Sequence, residues 1–266
     1  MTRRRLDAEL TRRGLARSRD QAQELIAAGA VRVRGVAATK AATQVETSSA
    51  ITVENAGHGY VSRGALKLIG ALDAFEGLLV DGRDALDAGA STGGFTQVLL
   101  ERGVSRVLCV DVGYGQLAWV LREDPRVTVR ERTNVRTMSA ADVPFLASVV
   151  VADLSFISLK VVLPALLAST APVCDYVLMV KPQFEAGRDR VGDGVIRDPE
   201  IRFSTVESVA LHAVALGLTI RGVEASPLPG PSGNVEYFLW MDRGREGGGV
   251  ASVGEAILRA VSEGPT

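Results

Sequence analysis

Short apolar runs and stretches of helical periodicity alternate along the chain from residue 84 onward. The helical stretches include Phe95–Arg102, Leu159–Ala168 and Pro199–Leu216. This alternation predicts an α/β fold in which a mostly parallel sheet carries helices on both faces. The predicted strands are Asp84–Asp87, Arg106–Asp111, Val127–Glu131, Ser148–Asp153, Tyr176–Lys181, Leu218–Glu224 and Val235–Met241.

The end of the chain departs from this alternation. The last two predicted strands follow each other through a loop rich in proline and glycine, so we expect them to pair as an antiparallel hairpin. A C-terminal helix is predicted over Val253–Ser262, and we expect it to pack beside a helix over Arg63–Phe75.

The first sixty residues have a different pattern. Leu6, Leu10 and Leu15 follow helical spacing, which predicts a first short helix. A second helix is predicted over Arg19–Ala28, because one of its faces is apolar and Ser18 is a suitable N-cap residue.

Short strands are predicted to follow these two helices. Gly29 is placed to end the second helix, and apolar and basic residues then alternate over Val31–Arg34. A further strand over Ala50–Glu54 completes a small α+β domain, after which turn-forming residues accumulate over Asn55–Tyr60. The predicted domains are residues 1–56 and 63–266, joined by a linker at residues 57–62.

Composition limits the class of protein. The longest uncharged run, Val161–Cys174, is interrupted by prolines, so we expect no membrane-spanning helix, and the N-terminus lacks the apolar run of a secretory signal. Cys109 and Cys174 cannot form a disulfide framework, and His58 and His212 stand apart from other metal-ligating residues. The sequence therefore predicts a cytoplasmic protein without a metal site.

The net charge of −1 conceals an uneven distribution of charge. Residues 1–63 hold 11 Lys and Arg against 6 Asp and Glu, whereas the remainder holds 19 against 25. A basic segment attached to a mildly acidic body indicates contact with a polyanion. A solvated surface explains the same charges equally well.

A glycine-rich segment follows the first predicted strand of the sheet. Its sequence is Asp87-Ala-Gly-Ala-Ser-Thr-Gly-Gly-Phe95, and open α/β sheets bind ligands at such strand ends. The spacing differs from the dinucleotide pattern Gly-x-Gly-x-x-Gly. A carboxylate before the first glycine suits the cationic amino group of S-adenosylmethionine and disfavours a pyrophosphate. The predicted cofactor-binding residues are Asp87, Gly89, Ser91, Gly93, Gly94 and Phe95.

Two residues at later strand ends extend this predicted cofactor site. Asp111 ends the next strand, where a carboxylate can hydrogen-bond a ribose diol, and Asn134 follows the third strand, where it can face an adenine ring. Two alternatives stay open for the loop itself. Gly93 and Gly94 would also permit a tight turn without any ligand, and NAD is the second candidate cofactor.

Charged residues at further strand ends indicate the chemistry. Asp153 and Lys181 end predicted strands, Glu236 lies in the last one, and Lys67 lies in the helix before the sheet. The chain has 26 arginines and only four lysines, so a lysine at an apolar strand end indicates a role that arginine does not serve. Proton transfer is such a role, because arginine stays protonated whereas a buried lysine near another cation can lose its proton. Taken alone, Lys181 is equally well explained as an anion-binding or salt-bridging residue.

The first domain resembles a known RNA-binding family. The pattern Arg5-Leu-Asp…Leu10…Gly14-Leu-Ala-Arg-Ser-Arg19…Ala22…Leu25-Ile26…Gly29…Val31…Val33 is similar to that of the S-four-type RNA-binding domain. The resemblance implies that arginines contact RNA phosphates, which positions the RNA without reading its sequence. The residues so implied are Arg3, Arg4, Arg5, Arg17 and Arg19.

The second domain resembles the FtsJ-like ribose 2′-O-methyltransferases. The resemblance rests on four segments: Ser62-Arg-Gly-Ala-Leu-Lys67, Ala152-Asp-Leu-Ser-Phe156, Val180-Lys-Pro-Gln-Phe184 and Gly233-Asn-Val-Glu-Tyr237. It implies a Rossmann-like class I methyltransferase sheet, S-adenosylmethionine as cofactor, and a catalytic tetrad of Lys67, Asp153, Lys181 and Glu236. We hypothesise that Lys181 activates the hydroxyl, that Lys67 and Glu236 position it, and that Asp153 orients Lys181 and borders the cofactor.

With both domains together, nearly the whole chain resembles the TlyA family. This resemblance implies a ribosomal RNA 2′-O-methyltransferase that acts on cytidines, with ribosomal RNA or ribosomal subunits as partners, and we expect a monomer. The family has also been labelled haemolysin historically. Its Arg-x-Trp-Val linker is replaced here by His58-Gly-Tyr-Val61, so no linker-specific role is carried over.

Three other functions stay open from the sequence. A membrane-active haemolysin is disfavoured by the lack of a spanning segment, and a non-catalytic ribosome-assembly protein by the intact tetrad. A nicotinamide dehydrogenase is disfavoured by the spacing of the glycines.

Overall fold

The chain divides into two units, the first extending to Tyr60 and the second beginning at Val61. The structure, a computed structural model, describes residues 3–16, 19–27, 29–53 and 59–265. The division falls within the predicted linker, of which residues 57 and 58 lie outside the described residues. The exact bounds of the linker therefore stay a prediction.

The first unit contains both predicted helices and both predicted strands. Helices α1 and α2 pack against each other and bury an apolar core that includes Leu6, Leu10 and Ile26. Gly29 follows α2 with a φ of +71°, as expected for a residue that ends a helix, whereas Ser18 lies outside the described residues. The elements of this unit are β1 (Arg3–Arg5), α1 (Leu6–Arg12), α2 (Arg19–Ala27), β2 (Val31–Val33), β3 (Val36–Ala37), β4 (Gln44–Glu46) and β5 (Ile51–Val53).

The strands of this unit form two small antiparallel sheets. Strand β2 lies between β3 and β5, and β1 pairs with β4. Strand β1 consists of the basic residues at the start of the chain, which local sequence did not predict as a strand. Its three arginines are exposed, so the pairing fixes their backbone while leaving their side chains at the surface.

The second unit has the predicted alternation of helices and strands, with two short 3₁₀ turns at Val135–Thr137 and Ala140–Asp142. Its helices are α3 (Gly64–Ala74), α4 (Gly94–Glu101), α5 (Trp119–Arg122), α6 (Leu159–Ala168), α7 (Pro182–Glu185), α8 (Arg188–Val191), α9 (Pro199–Ala215) and α10 (Val253–Glu263). Its strands are β6 (Asp84–Ala88), β7 (Arg106–Val110), β8 (Val127–Arg130), β9 (Ala147–Ala152), β10 (Thr170–Val180), β11 (Thr219–Ala225) and β12 (Tyr237–Arg243).

Strands β6 to β12 form one sheet in the order β11-β12-β10-β9-β6-β7-β8. Strands β6 to β10 run parallel, and β12 is antiparallel to both β10 and β11, which confirms the predicted hairpin. The order reverses between β6 and β9. In an open α/β sheet that reversal opens a crevice at the carboxyl ends of the strands, where ligands bind.

The two faces of this sheet are covered by different helices. Alternate strand residues such as Leu86, Val150, Leu178 and Leu239 share one core with α6, α9 and α10. The intervening residues point to the other face. There, Phe238 of β12 packs against Phe95 of α4 at 6.0 Å between ring centroids, and Trp240 packs against Phe75 at 5.5 Å.

The predicted position of the C-terminal helix is wrong. Helix α10 packs on α9 and β11 rather than beside α3, and it buries Ala256, Ile257 and Ala260 in the core of that face. Helix α3 packs against α4 on the opposite face. The reason is that the hairpin makes β11 the edge strand, whose apolar residues beside α9 need a cover, and the amphipathic α10 supplies it.

Candidate active site

Three charged residues meet at one edge of the sheet because of strand direction. Asp153 and Lys181 follow the carboxyl ends of the parallel neighbours β9 and β10. Glu236 immediately precedes β12, whose antiparallel register pairs Val180 with Tyr237 and therefore sets Glu236 beside Lys181. All three continue the alternation that points away from α6 and α9, toward the face covered by α3. Lys67, near the start of α3, reaches them from that helix.

The four side chains form a row of alternating charges. Lys67 Nζ donates a hydrogen bond to Glu236 Oε2 at 2.6 Å, and Glu236 Oε1 lies 3.9 Å from Lys181 Nζ. Lys181 Nζ lies 2.6 Å from Asp153 Oδ1, a close ion pair without an aligned hydrogen bond. The structure thus brings the predicted tetrad together in the order Lys67, Glu236, Lys181, Asp153.

The row combines burial with one open end. Lys67, Lys181 and Glu236 are buried, and Asp153 is partly exposed. Buried charges are stable only when paired, and each cation here faces a carboxylate. Glu236 lies between the two lysines. On the side of Lys67, the charged group nearest to Lys181 is therefore the Glu236 carboxylate and not the Lys67 ammonium group.

Packing against neighbouring residues, and not only a bound ligand, requires glycine in the loop after β6. Gly89 has a φ of +85°, and a Cβ there would lie 2.6 Å from the carbonyl oxygen of Asp153. Gly93 has a φ of +98° at the N-cap of α4, where a Cβ would collide with Leu121. A side chain at Gly94 would meet Ser62. The tight-turn explanation therefore holds for Gly93 and Gly94, whereas Gly89 brings the loop against the end of β9.

Asp87 lies deeper than the sequence suggested. Its side chain is fully buried; Oδ2 accepts a hydrogen bond from Thr96 Oγ1 at 2.6 Å, and Oδ1 has no hydrogen-bond partner within the described part of the chain. Burial raises the pKa of Asp87 to about 7, against the hydrogen bond from Thr96, and the charge of Asp153 raises it further. A buried oxygen without a partner needs a donor, and the ammonium group of a ligand, directly or through water, is one.

A small cleft opens beside this loop at the ends of β6, β7 and β8. The Asp111 carboxylate lies at the rim of this cleft and accepts two backbone hydrogen bonds. Oδ2 accepts one from Ser91 N at 2.8 Å, and Oδ1 accepts one from Gly113 N at 2.7 Å. Ser91 itself has a φ of +46°. The lining residues are Ala90, Ser91, Cys109, Asp111, Gly113, Gln116, Leu117, Val129 and Glu131.

Among the predicted cofactor residues, Ser91 and Asp111 belong to this lining, and the others do not: Asp87, Gly89, Gly93, Gly94, Phe95, Asn134 and Asp153. Asn134 is exposed, and its side-chain oxygen accepts a hydrogen bond from Arg136 N at 3.0 Å, which caps the first 3₁₀ turn. Phe95 is buried, with its ring against Phe238. The structure therefore brings Ser91 and Asp111 to the cleft and gives Phe95 and Asn134 contacts of their own.

Sequence reasoning assigned no role to two residues that follow Asp153. Ser155 Oγ accepts a hydrogen bond from Lys181 Nζ at 3.0 Å. Phe156 is 90% exposed, has a φ of +64°, and lies 4.9 Å from the ring of Phe184. An exposed aromatic side chain in a left-handed backbone conformation is rare for reasons of strain and solvation. The only signal in the sequence is that both aromatic residues stand within a few positions of Asp153 and Lys181.

The predicted RNA-binding arginines have different surroundings. Arg3 and Arg4 are exposed on β1 and form no ion pair with another described residue. Arg5 and Arg19 both pair with the buried Asp7, at 2.9 and 3.1 Å. Arg17 lies outside the described residues. Within the described ranges, no helix has both the length and the apolar character needed to cross a bilayer, and no cluster of three or more potential metal ligands is formed.

Comparison with known families assigns both units. Residues 4–51 match the S4 domain, and residues 60–243 match the FtsJ-like methyltransferase domain. The chain is 56% identical over 267 residues to the 16S/23S rRNA (cytidine-2′-O)-methyltransferase TlyA of Mycobacterium tuberculosis, and the alignment covers 98% of each. It is 37% identical to Hemolysin A of Brachyspira hyodysenteriae, covering 88% of this chain and 98% of that protein.

A solved structure shows the same arrangement of elements. A protein from Streptococcus thermophilus, named as a candidate hemolysin, superposes with a TM-score of 0.79 at 36% identity and covers 98% of this chain and 95% of its own. A second solved structure, named as a candidate S-adenosylmethionine dependent methyltransferase from Listeria monocytogenes, has a TM-score of 0.52 at 15% identity. It covers 68% of this chain and 99% of its own, which shows a shared fold. By its two domain matches and its end-to-end similarity to these relatives, the protein belongs to the TlyA family of FtsJ-like methyltransferases with an N-terminal S4 domain.

Proposed function

We propose that the protein transfers a methyl group from S-adenosylmethionine to the ribose 2′-hydroxyl of cytidine in ribosomal RNA. The observation that carries this proposal is the row Lys67, Glu236, Lys181, Asp153 at the carboxyl edge of the sheet, next to the glycine loop. The Mycobacterium tuberculosis relative, a 16S/23S rRNA (cytidine-2′-O)-methyltransferase whose sequence aligns along nearly the whole chain, supports it.

The residues around the cleft fit S-adenosylmethionine. Gly89 gives the loop a surface without side chain, and the unpartnered Oδ1 of Asp87 offers an acceptor for an amino group. Asp111 and Glu131 line the cleft with carboxylates suited to a ribose diol, which S-adenosylmethionine and NAD both carry, so the carboxylate of Asp87 is the feature that disfavours a pyrophosphate. These residues would hold the cofactor, which supplies a methyl group already activated by its attachment to a positively charged sulfur.

Lys181 is placed to act on the hydroxyl. Its ammonium group has three N–H donors; Ser155 accepts one hydrogen bond, Asp153 faces a second, and Glu236 Oε1 at 3.9 Å is too far for a direct bond. A ribose hydroxyl that entered beside Lys181 and Glu236 would be oriented by both. Lys181, after losing one proton to solvent, would as a neutral amine accept the hydroxyl proton while the new C–O bond forms. Lys67 fixes Glu236, and Asp153 fixes Lys181.

Recognition of RNA is proposed to combine charge and stacking. Arg3, Arg4, Arg5, Arg17 and Arg19 are proposed to contact phosphates. The exposed face of Phe156, backed by Phe184, offers a surface on which an unstacked base can rest close to Lys181. We place this activity in the cytoplasm, on ribosomal subunits, with the protein acting as a monomer.

Methyl transfer from labelled S-adenosylmethionine to isolated ribosomal subunits, followed by mapping of the modified ribose, tests the proposal. We expect label on a cytidine 2′-oxygen. Calorimetry should show binding of S-adenosylmethionine and none of NAD. Label on a base, absence of label on both subunits, or preferential binding of NAD would contradict the proposed reaction.

A further inference from the structure

The loop between β11 and β12 is stiff and lies against the catalytic row. It runs from Ser226 to Asn234 and contains three prolines. Ser226 N donates to the carbonyl oxygen of Glu236 at 2.8 Å, and Gly230 N donates to that of Asn234 at 2.8 Å. The first bond ties the start of the loop to Glu236, and the second joins Gly230 to Asn234 within the loop. A displacement of one part of the loop is therefore transmitted to the others.

Gly230 touches the carboxylate of Glu236. A Cβ at this position would lie 2.7 Å from Glu236 Oε1 and 3.3 Å from its Cδ, closer than a methyl group tolerates. Gly230 is buried, and its φ lies outside the left-handed region, so an L residue would suit its backbone. Glycine is therefore needed at position 230 because a side chain there would occupy the space of the Glu236 carboxylate.

A second glycine seats the same loop on the helix that carries Lys67. Gly70 lies three residues after Lys67 and therefore on the same side of α3. A Cβ on Gly70 would lie 2.7 Å from Pro227 Cγ. Glycine within a helix is less favourable than alanine, so its occurrence here is accounted for by the proline ring that packs on it.

We propose that the Ser226–Asn234 loop is a positioning element for the Lys67–Glu236 pair, with Gly230 as the positioning residue that sets the orientation of Glu236. The inference rests on the proposed function. The loop is seated on α3 at Gly70 and limits the Glu236 carboxylate at Gly230. In this orientation Oε2 meets Lys67 and Oε1 faces Lys181.

Gly230→Ala tests the role of this residue, with Gly254→Ala as the matched control. A Cβ on Gly254, in α10, would meet no atom within 4 Å, and its φ is outside the left-handed region. Because displacement of a reacting group by about 1 Å can cost about a hundredfold in rate, we expect Gly230→Ala to lose about that factor in kcat. Binding of S-adenosylmethionine by calorimetry should be unchanged, and Gly254→Ala should keep full activity.

A double-mutant cycle separates positioning from general damage. Glu236→Asp shortens the carboxylate and makes room for a methyl group, so adding Gly230→Ala to Glu236→Asp should cost much less than adding it to the natural sequence. Additive losses, or full activity of Gly230→Ala, would overturn the proposal. If Gly230→Ala fails to fold, recovery of folding in the double variant supports the contact, and continued failure opposes it.

Two further measurements keep this inference distinct from the proposed function. Gly70→Ala should also lower kcat, because it displaces Pro227; unchanged kcat would show that the loop is not seated there. A crystal structure of Gly230→Ala should show Glu236 Oε2 moved from the 2.6 Å bond with Lys67. An unmoved carboxylate would refute the inference even if the enzyme methylated a different substrate.

Discussion

The S4 unit and the glycine loop of the methyltransferase unit both bury carboxylates, and the surroundings of these carboxylates are opposite. In the S4 unit, Asp7 and Glu9 each face two arginines. The hydrogen bond from Arg5 is the main cause that lowers the pKa of Asp7. The hydrogen bond from Arg12 is the main cause that lowers the pKa of Glu9 to about 2. In the methyltransferase unit, burial without a cation raises the pKa of Asp87 to about 7. A satisfied carboxylate holds the fold together, whereas an unsatisfied one is available to a ligand.

The cations differ between the S4 unit and the active-site row as well, although arginines also pair with buried carboxylates elsewhere in the methyltransferase unit, as Arg83 does with Asp175. Arginines bind the buried carboxylates of the S4 unit, and lysines bind those of the active site. Arginine forms planar, permanently charged pairs, while lysine presents a compact charge that can give up its proton. In a chain with 26 arginines, a lysine at position 181 therefore supports the proposal that a proton is transferred there.

Replacement of Lys181 should have the largest effect on activity, because it removes the lysine that distinguishes the active site from the S4 unit. Lys181→Arg keeps the charge but removes the group able to accept a proton, so we expect methyl transfer to fall by a factor of about 10² to 10⁴. Lys181→Ala should fall as far, with S-adenosylmethionine binding by calorimetry nearly intact in both. Arg12→Lys, the reverse exchange in the S4 unit, is the control and should leave the rate of methyl transfer unchanged. Full activity of Lys181→Arg would remove Lys181 from the role of base.

Asp87→Asn should reveal the cost of the unsatisfied carboxylate. The pKa of Asp87 is raised in the folded state, so the folded state binds more protons than the unfolded one between about pH 4 and pH 7. The free energy of unfolding of the natural protein therefore loses a contribution as pH rises through that window, by up to a few kcal/mol.

Denaturant unfolding at a series of pH values measures this effect. The stability of Asp87→Asn relative to the natural protein should rise between pH 4 and pH 7 and then level off. Thr96→Val, which removes the hydrogen bond to Asp87 while keeping the carboxyl group, should raise the pKa of Asp87 further and extend the pH dependence above pH 7 instead. A flat difference for Asp87→Asn would show that its carboxyl group titrates at an ordinary pKa.

Asp7→Asn should give the smallest effect and the opposite sign. The pKa of Asp7 is lowered in the folded state, so its contribution to stability is present above its ordinary pKa and is lost as pH falls below about 4. Arg5 and Arg19 are 44% and 56% exposed, and solvent screening limits what these pairs contribute.

We expect a melting temperature a few degrees lower for Asp7→Asn at neutral pH, converging with that of the natural protein in acid. Glu46→Gln, which breaks the surface pair with Arg34, is the control and should change the melting temperature little. Equal melting temperatures of Asp7→Asn and the natural protein at pH 7 would show that the Asp7 pairs contribute nothing.

The sequence predicted the sheet and the meeting of Asp153, Lys181 and Glu236 because both follow from local rules, whereas Lys67 was grouped with them by the resemblance to the FtsJ-like methyltransferases. Apolar runs located the strands, and the direction of parallel strands placed Asp153 and Lys181 at one edge. The antiparallel hairpin, predicted from the loop without a helix, brought Glu236 to the same edge. Each step needed only periodicity and chain direction.

Contacts between residues far apart in the sequence could not be predicted from local patterns. The pairing of β1 with β4 joins segments some forty residues apart, and the binding of Arg5 and Arg19 by Asp7 depends on how two helices pack. Asn134 was predicted at the adenine, but its side chain is engaged by Arg136 N, a contact set by a 3₁₀ turn that no periodicity announces. The error over α10 has the same origin, since its place depends on which strand became the edge.

The alternation of side chains across the sheet determines where the length of this chain can vary. Asp153, Lys181 and Glu236 share a face only because each is an even number of residues from a neighbour on that face. Inserting or deleting one residue within β9, β10 or β12 would turn a catalytic side chain toward α6 and α9. The exposed segment 244–249 lies beyond the last strand and carries no such constraint. We therefore expect changes of length to be tolerated at such loops and to abolish activity within these three strands.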